Sequence, residues 1–78
     1  MSDELFERFR KTAAESLSKP ADAITREASF ADDLDADSLD LVQMVMDLEE
    51  EFDITVDEDE LEGITTIGQA FELIQSKL

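Results

Sequence analysis

Asp37-Ser38-Leu39-Asp40-Leu41-Val42-Gln43-Met44-Val45-Met46-Asp47-Leu48-Glu49-Glu50-Glu51-Phe52 is the stretch whose periodicity decides the fold. At about 100° per residue, Leu41, Met44, Val45, Leu48 and Phe52 share one arc of roughly 100°, the pattern of a helix with one face turned to a core. Asp37 or Ser38 opens this helix, since an Asp at its start suits both an N-cap and the helix dipole. Leu39, Val42 and Met46 form a second apolar arc displaced from the first, with Gln43 and Glu50 on one side of it and Glu49 on the other. A widened buried face is the plainer explanation for an arbitrary helix. An apolar strip edged mostly by acids reads instead as a docking surface.

The flanking segments repeat the helical signal. Leu5, Phe6, Phe9, Ala13 and Leu17 fall within about 120° of one another and give a first helix ahead of Pro20. From Ala21 to Ala36 no period holds, but Ile24, Phe30 and Leu34 recur as apolar pegs that pin a long loop to the core. A loop of that length in so small a chain is expected to be ordered and functional. Asp57 to Leu61 suggests a short third helix. The last helix starts with capping-box spacing at Thr66 and Gln69 and shows one stripe of Ile67, Ala70, Phe71, Ile74 and Leu78. Strand alternation is absent. The expected fold is all-α, a four-helix bundle with a short third helix, in one domain over residues 1–78.

Charge narrows the function. The 78 residues hold 22 Asp and Glu against 6 Lys and Arg, a net charge of -16. Such a chain lacks the cations that nucleic acid or anionic lipid requires and is complementary to basic protein surfaces. The basic residues are Arg8, Arg10, Lys11, Lys19, Arg26 and Lys77, so the whole stretch from Glu27 to Ser76 is without one. Without Cys or His there is no disulfide framework, thiol nucleophile or imidazole base, which argues against self-contained catalysis. No apolar run approaches a membrane span and the start is acidic, so a soluble, cytoplasmic protein is expected. Asp33, Asp35 and Asp37 match the first, third and fifth positions of a calcium loop. Ser38 then stands where Gly is needed and Met44 where a bidentate Glu is needed. The run Asp57-Glu58-Asp59-Glu60 fails in the same way at Leu61, and no metal site is assigned.

Taken alone, a Ser beside an Asp at a helix start is a capping residue in most cases. Its context is more specific. The run from Phe30 to Phe52, FADDLDADSLDLVQMVMDLEEEF, strongly resembles acyl carrier proteins of dissociated fatty acid synthases around their Asp-Ser-Leu attachment site. Ile24-Thr25, Glu27-Ala28-Ser29-Phe30, Ile64-Thr65-Thr66-Ile67 and Ala70 follow the same family's order and spacing, so the likeness extends over nearly the whole chain. The resemblance implies that a phosphopantetheinyl transferase, using its own metal and base, attaches 4'-phosphopantetheine from coenzyme A to Ser38. It further implies a monomeric, non-catalytic carrier that moves acyl chains as thioesters between fatty acid synthase enzymes. Basic patches on those enzymes would meet Asp37, Asp40, Glu49 and Glu50, with the apolar strip Leu39, Val42 and Met46 completing the docking surface. The residues agree with that division of labour: a hydroxyl at a helix N-terminus suits a phosphodiester, and no His is present to activate it.

Three positions depart from the family pattern: Asp35 stands where Gly is common, Gln43 where Glu is common, and Asp47 where a small residue is usual. They bear on partner choice more than on attachment. A polyketide, aminoacyl or specialised lipid intermediate remains an alternative cargo, and an acidic interaction module without any cofactor an alternative class.

Overall fold

The computed structural model describes residues 2–78 and shows three α-helices: α1 (Ser2–Leu17), α2 (Ser38–Phe52) and α3 (Ile67–Ser76). Two short 3-10 turns, Ala21–Ala23 and Glu58–Leu61, lie between them. The all-helical class holds, and the only β-type pairing among the described residues is an isolated antiparallel bridge between Ser29 and Thr66. The short third helix is replaced by the 3-10 turn Glu58–Leu61, so the architecture has three α-helices rather than four. Four residues cannot offset the cost of nucleating an α-helix, and Asp57 to Glu60 crowd like charges on one turn.

Each helix buries the face its periodicity marked out. Phe9 and Ala13 of α1, Met44, Val45, Leu48 and Phe52 of α2, and Ile67, Ala70, Phe71 and Ile74 of α3 form one cluster with Ile24, Ala28, Phe30 and Leu34. Leu5, Phe6, Leu17 and Leu41 pack against its margin and stay half-buried. Leu78 is a correction: α3 ends at Ser76, and Leu78 is 58% exposed rather than part of the stripe. Phe71 meets the rings of Phe6 and Phe9 edge-on, with centroids 5.0 and 5.4 Å away, contacts worth about 0.5–1.5 kcal/mol each beyond their burial. Arg26 covers both Phe6 and Phe71 at 4.9 and 5.0 Å, so this cation is spent on the core's edge.

The pegs work as expected: Ile24, Phe30 and Leu34 are buried, and the loop between α1 and α2 is ordered around them. Its backbone is tied to the start of α3, because Phe30 donates to the Thr65 carbonyl (3.0 Å), Ile67 to Ala28 (2.9 Å) and Gly68 to Arg26 (2.9 Å). The last contact needs glycine, since a Cβ at position 68 would stand 2.9 Å from the Arg26 carbonyl oxygen. Across the other side of the core, Arg8 Nε donates to Glu51 Oε2 (2.6 Å) and its guanidinium lies 4.7 Å over Phe52, tying α1 to the end of α2.

Candidate functional site

The loop delivers Ser38 to the start of α2 through a chain of backbone-directed contacts. The Ser29 carbonyl accepts from the N–H groups of Asp33 (2.9 Å) and Leu34 (3.0 Å), while the Ser29 N–H donates to Asp33 Oδ2 (2.7 Å). Ala36 then donates to the Phe30 carbonyl at 2.7 Å. Between them Asp35 lies in the left-handed region at φ 51°, the geometry Gly takes freely and Asp tolerates better than most residues. Asp33 and Asp37 therefore spend carboxylate oxygens on backbone N–H groups. Among the described residues no three His, Cys, Asp or Glu side chains are grouped to hold a metal ion.

Asp37, extended at φ -95° and ψ -172°, is the N-cap, and Ser38 is the first helical residue. Asp37 Oδ1 accepts from the Asp40 N–H (3.0 Å), and Asp40 Oδ2 accepts from the Asp37 N–H (3.2 Å), a reciprocal capping box. The box answers two donors of this helix end and leaves the N–H groups of Ser38 and Leu39 for an external acceptor. Ser38 itself is exposed. It sits between two open grooves with Leu41 on the floor of both. One, of about 580 Å³, runs under Phe30, Ala36, Ile64 and Thr65. The other, of about 350 Å³, runs between Val42 and the turn residues Glu58, Leu61 and Glu62.

The expected docking residues divide into three kinds. Leu39 and Met46 are fully presented, 78% and 54% exposed, whereas Val42 is half-buried and walls the smaller groove. Asp37, Asp40 and Glu50 are exposed, the first two with one oxygen each held by the capping box. Glu49 is partly diverted inward: its Oε2 accepts from the Val56 N–H at 2.7 Å and fixes the chain after α2. Gln43 and Asp47, two of the unusual positions, satisfy each other through a 3.2 Å Nε2 to Oδ1 bond one helical turn apart. The three ion pairs among the described residues are Arg8–Glu51, Arg10–Glu7 and Lys77–Glu60, so none neutralises Asp37, Asp40, Glu49 or Glu50. Sequence reasoning missed the groove walls, Leu61, Ile64 and Thr65. The available signal was Leu61 and Ile64 standing as isolated apolar residues in an acidic stretch.

Comparison with known proteins matches residues 7–74 to the family described as the phosphopantetheine attachment site. The acyl carrier protein of Phenylobacterium zucineum is 51% identical over 78 residues, 100% of this chain and 98% of that protein. That of Petrotoga mobilis is 47% identical over 76 residues, covering 97% and 89%. This chain belongs to the acyl carrier protein family. A third member, from Picosynechococcus, is 44% identical over 77 residues, 99% of this chain and 95% of its own length. The cofactor of the family is 4'-phosphopantetheine, and the donor set at the start of α2 fits it: an exposed hydroxyl, two N–H groups free for phosphate oxygens, and grooves on either side. No helix among the described residues is long and apolar enough to cross a membrane.

Proposed function

We propose that this chain carries acyl groups as thioesters on a 4'-phosphopantetheine arm joined to Ser38, passing them between enzymes of fatty acid synthesis. One observation carries this reading: an exposed hydroxyl on the first residue of α2, beside free N–H groups and between two grooves, in a chain of a phosphopantetheine-attachment family. Three other hydroxyls are engaged in the hydrogen bonding of α3 and its cap. Thr66 Oγ1 caps α3, Thr65 Oγ1 donates to Gln69, and Ser76 Oγ donates to the Leu73 carbonyl.

In the attachment step Ser38 Oγ would bond to the phosphorus that carries pantetheine in coenzyme A, the anhydride bond to the nucleotide would break, and the Ser38 proton would pass to a base. This chain has no His, so the transferase supplies that base. Once bound, the arm supplies a terminal thiol for the thioester. The helix N-terminus then stabilises the phosphodiester through the N–H groups of Ser38 and Leu39. The chain is a substrate and partner of enzymes rather than a catalyst.

The same reading makes one face of α2 the recognition surface. Leu39, Val42 and Met46 supply the apolar strip, and Asp37, Asp40, Glu49 and Glu50 supply charge with no cation of their own. Basic patches on the transferase and on fatty acid synthase enzymes complement it and raise the association rate. The protein acts as a cytoplasmic monomer of one domain. Intact mass after incubation with coenzyme A and a phosphopantetheinyl transferase is the test. Gain of one phosphopantetheine supports the reading, and an unchanged mass would leave an interaction module without cofactor.

A further inference from the structure

We propose that the ion pair between Lys77 and Glu60 is a latch that fastens the outer wall of the groove beside Ser38 and sets how readily the protein takes in an apolar chain. The inference rests on the carrier reading above. The wall is the 3-10 turn Glu58–Leu61, whose Leu61 faces Leu41 and Val42 across the smaller groove while its neighbours Glu58 and Glu62 line the rim.

By itself this wall is weakly built. It has no side-chain cap at Asp57 and no fully buried residue, and two backbone bonds, Glu60 to Asp57 (3.0 Å) and Glu62 to Asp59 (3.3 Å), hold its shape. Five consecutive acidic or apolar positions, Asp57 to Leu61, bring four carboxylates onto one turn, and like charges at this spacing repel. Both flanks leave helical geometry through positive-φ residues. Asp53 ends α2 in the left-handed region, and Gly63 at φ +86° has open space where a Cβ would be.

Two contacts keep the turn in place. Leu61 packs against the margin of the core, and Lys77 Nζ lies 2.6 Å from Glu60 Oε1. Lys77 is the C-cap residue of α3 and the only cation in the sequence after Arg26, so no other side chain can replace it from this half of the molecule. The two side chains are 29% and 30% exposed, and Glu60 Oε2 is buried with no hydrogen-bond partner. The carboxylate therefore rests against protein with Lys77 as its single compensating group. If the cation is removed, an uncompensated, partly desolvated charge remains, and it regains water by turning the wall outward. That movement widens the groove beside Ser38. The latch thus opposes entry of an apolar chain by a small, adjustable amount.

The test uses the full chain, unmodified, with the bare arm, and with an octanoyl arm installed by a phosphopantetheinyl transferase from octanoyl-coenzyme A. In Lys77→Met, amide exchange at Glu58 to Ile64 should quicken about two- to five-fold, the size a part-exposed ion pair supports, with buried amides of α1 and α2 unchanged. Glu60→Gln should show a smaller effect, because it leaves no stranded charge, and the double variant Lys77→Glu with Glu60→Lys should return towards the native rates. The rise in Tm on octanoyl loading should be larger in Lys77→Met than in the native protein. Unchanged exchange in Glu58 to Ile64, acceleration spread evenly over the chain, or equal octanoyl gains in variant and native would overturn the latch. Failure to add the arm at all would count against the carrier reading alone, and exchange in the unmodified chain would still decide the latch.

Discussion

Replacing Asp37 by Ala removes the N-cap of the helix that begins at Ser38. The structure gives this carboxylate one local bond, Oδ1 accepting from the Asp40 N–H at 3.0 Å, and the reciprocal Asp40 bond depends on the same turn geometry. Loss of an Asp cap costs about 1 kcal/mol, with 2 as the upper end. For a chain of this size about 1 kcal/mol corresponds to roughly 4–8 °C in Tm. A second effect opposes it: the protein carries a net charge of -16, so deleting any carboxylate relieves some repulsion. Asp37→Asn separates the two, because Asn caps nearly as well and also removes the charge. The expected order of thermal stability is Asn at or above native, and Ala clearly below both, with circular dichroism as the probe and amide exchange at Asp40 and Leu41 quickening only in the Ala variant. An Ala variant as stable as the Asn variant would refute the capping argument and leave charge as the whole of the effect.

Leu48→Ala, which truncates a fully buried side chain, should cost about 2–5 kcal/mol. Met46→Glu, at a position 54% exposed, should move stability by no more than about 0.5 kcal/mol while reducing turnover by partner enzymes; the reverse ranking would place Met46 in the core. Gly68→Ala should destabilise by about 1–3 kcal/mol in urea unfolding, against the helix propensity of Ala, because the new Cβ meets the Arg26 carbonyl at 2.9 Å. Raising salt from low ionic strength should raise Tm by screening the unpaired acids of α2 and the Glu58–Leu61 turn, and a flat or falling titration would show that repulsion does not limit stability.

The periodicity of Leu41, Met44, Val45, Leu48 and Phe52 made α2 legible, as did the Thr66 and Gln69 pair for the start of α3, because both signals are local. The pegs Ile24, Phe30 and Leu34 were readable for a similar reason: an apolar residue in a polar loop has few places to go. What escaped was set by contacts distant in sequence. The Asp57 to Leu61 stretch has the composition of a helix start, but its final shape depends on Leu61 reaching the core and Glu60 reaching Lys77, seventeen residues away. Arg8, Arg26 and Lys77 look like surface charges in the sequence. In the fold they tie Glu51, the Phe6 and Phe71 rings, and Glu60, which leaves Asp37, Asp40, Glu49 and Glu50 of α2 and its cap without a paired cation. Glu49 was likewise readable as a docking acid but not as the acceptor for Val56.

The central claim, that Ser38 bears the arm, is tested most directly by intact-mass measurement on native protein and Ser38→Ala after incubation with coenzyme A and a phosphopantetheinyl transferase. The native chain should gain one phosphopantetheine, and Ser38→Ala should gain none while keeping its helical circular dichroism, since the Asp37 cap and the core do not use the Ser38 side chain. Full loading of a folded Ser38→Ala variant, at any other hydroxyl, would contradict the account.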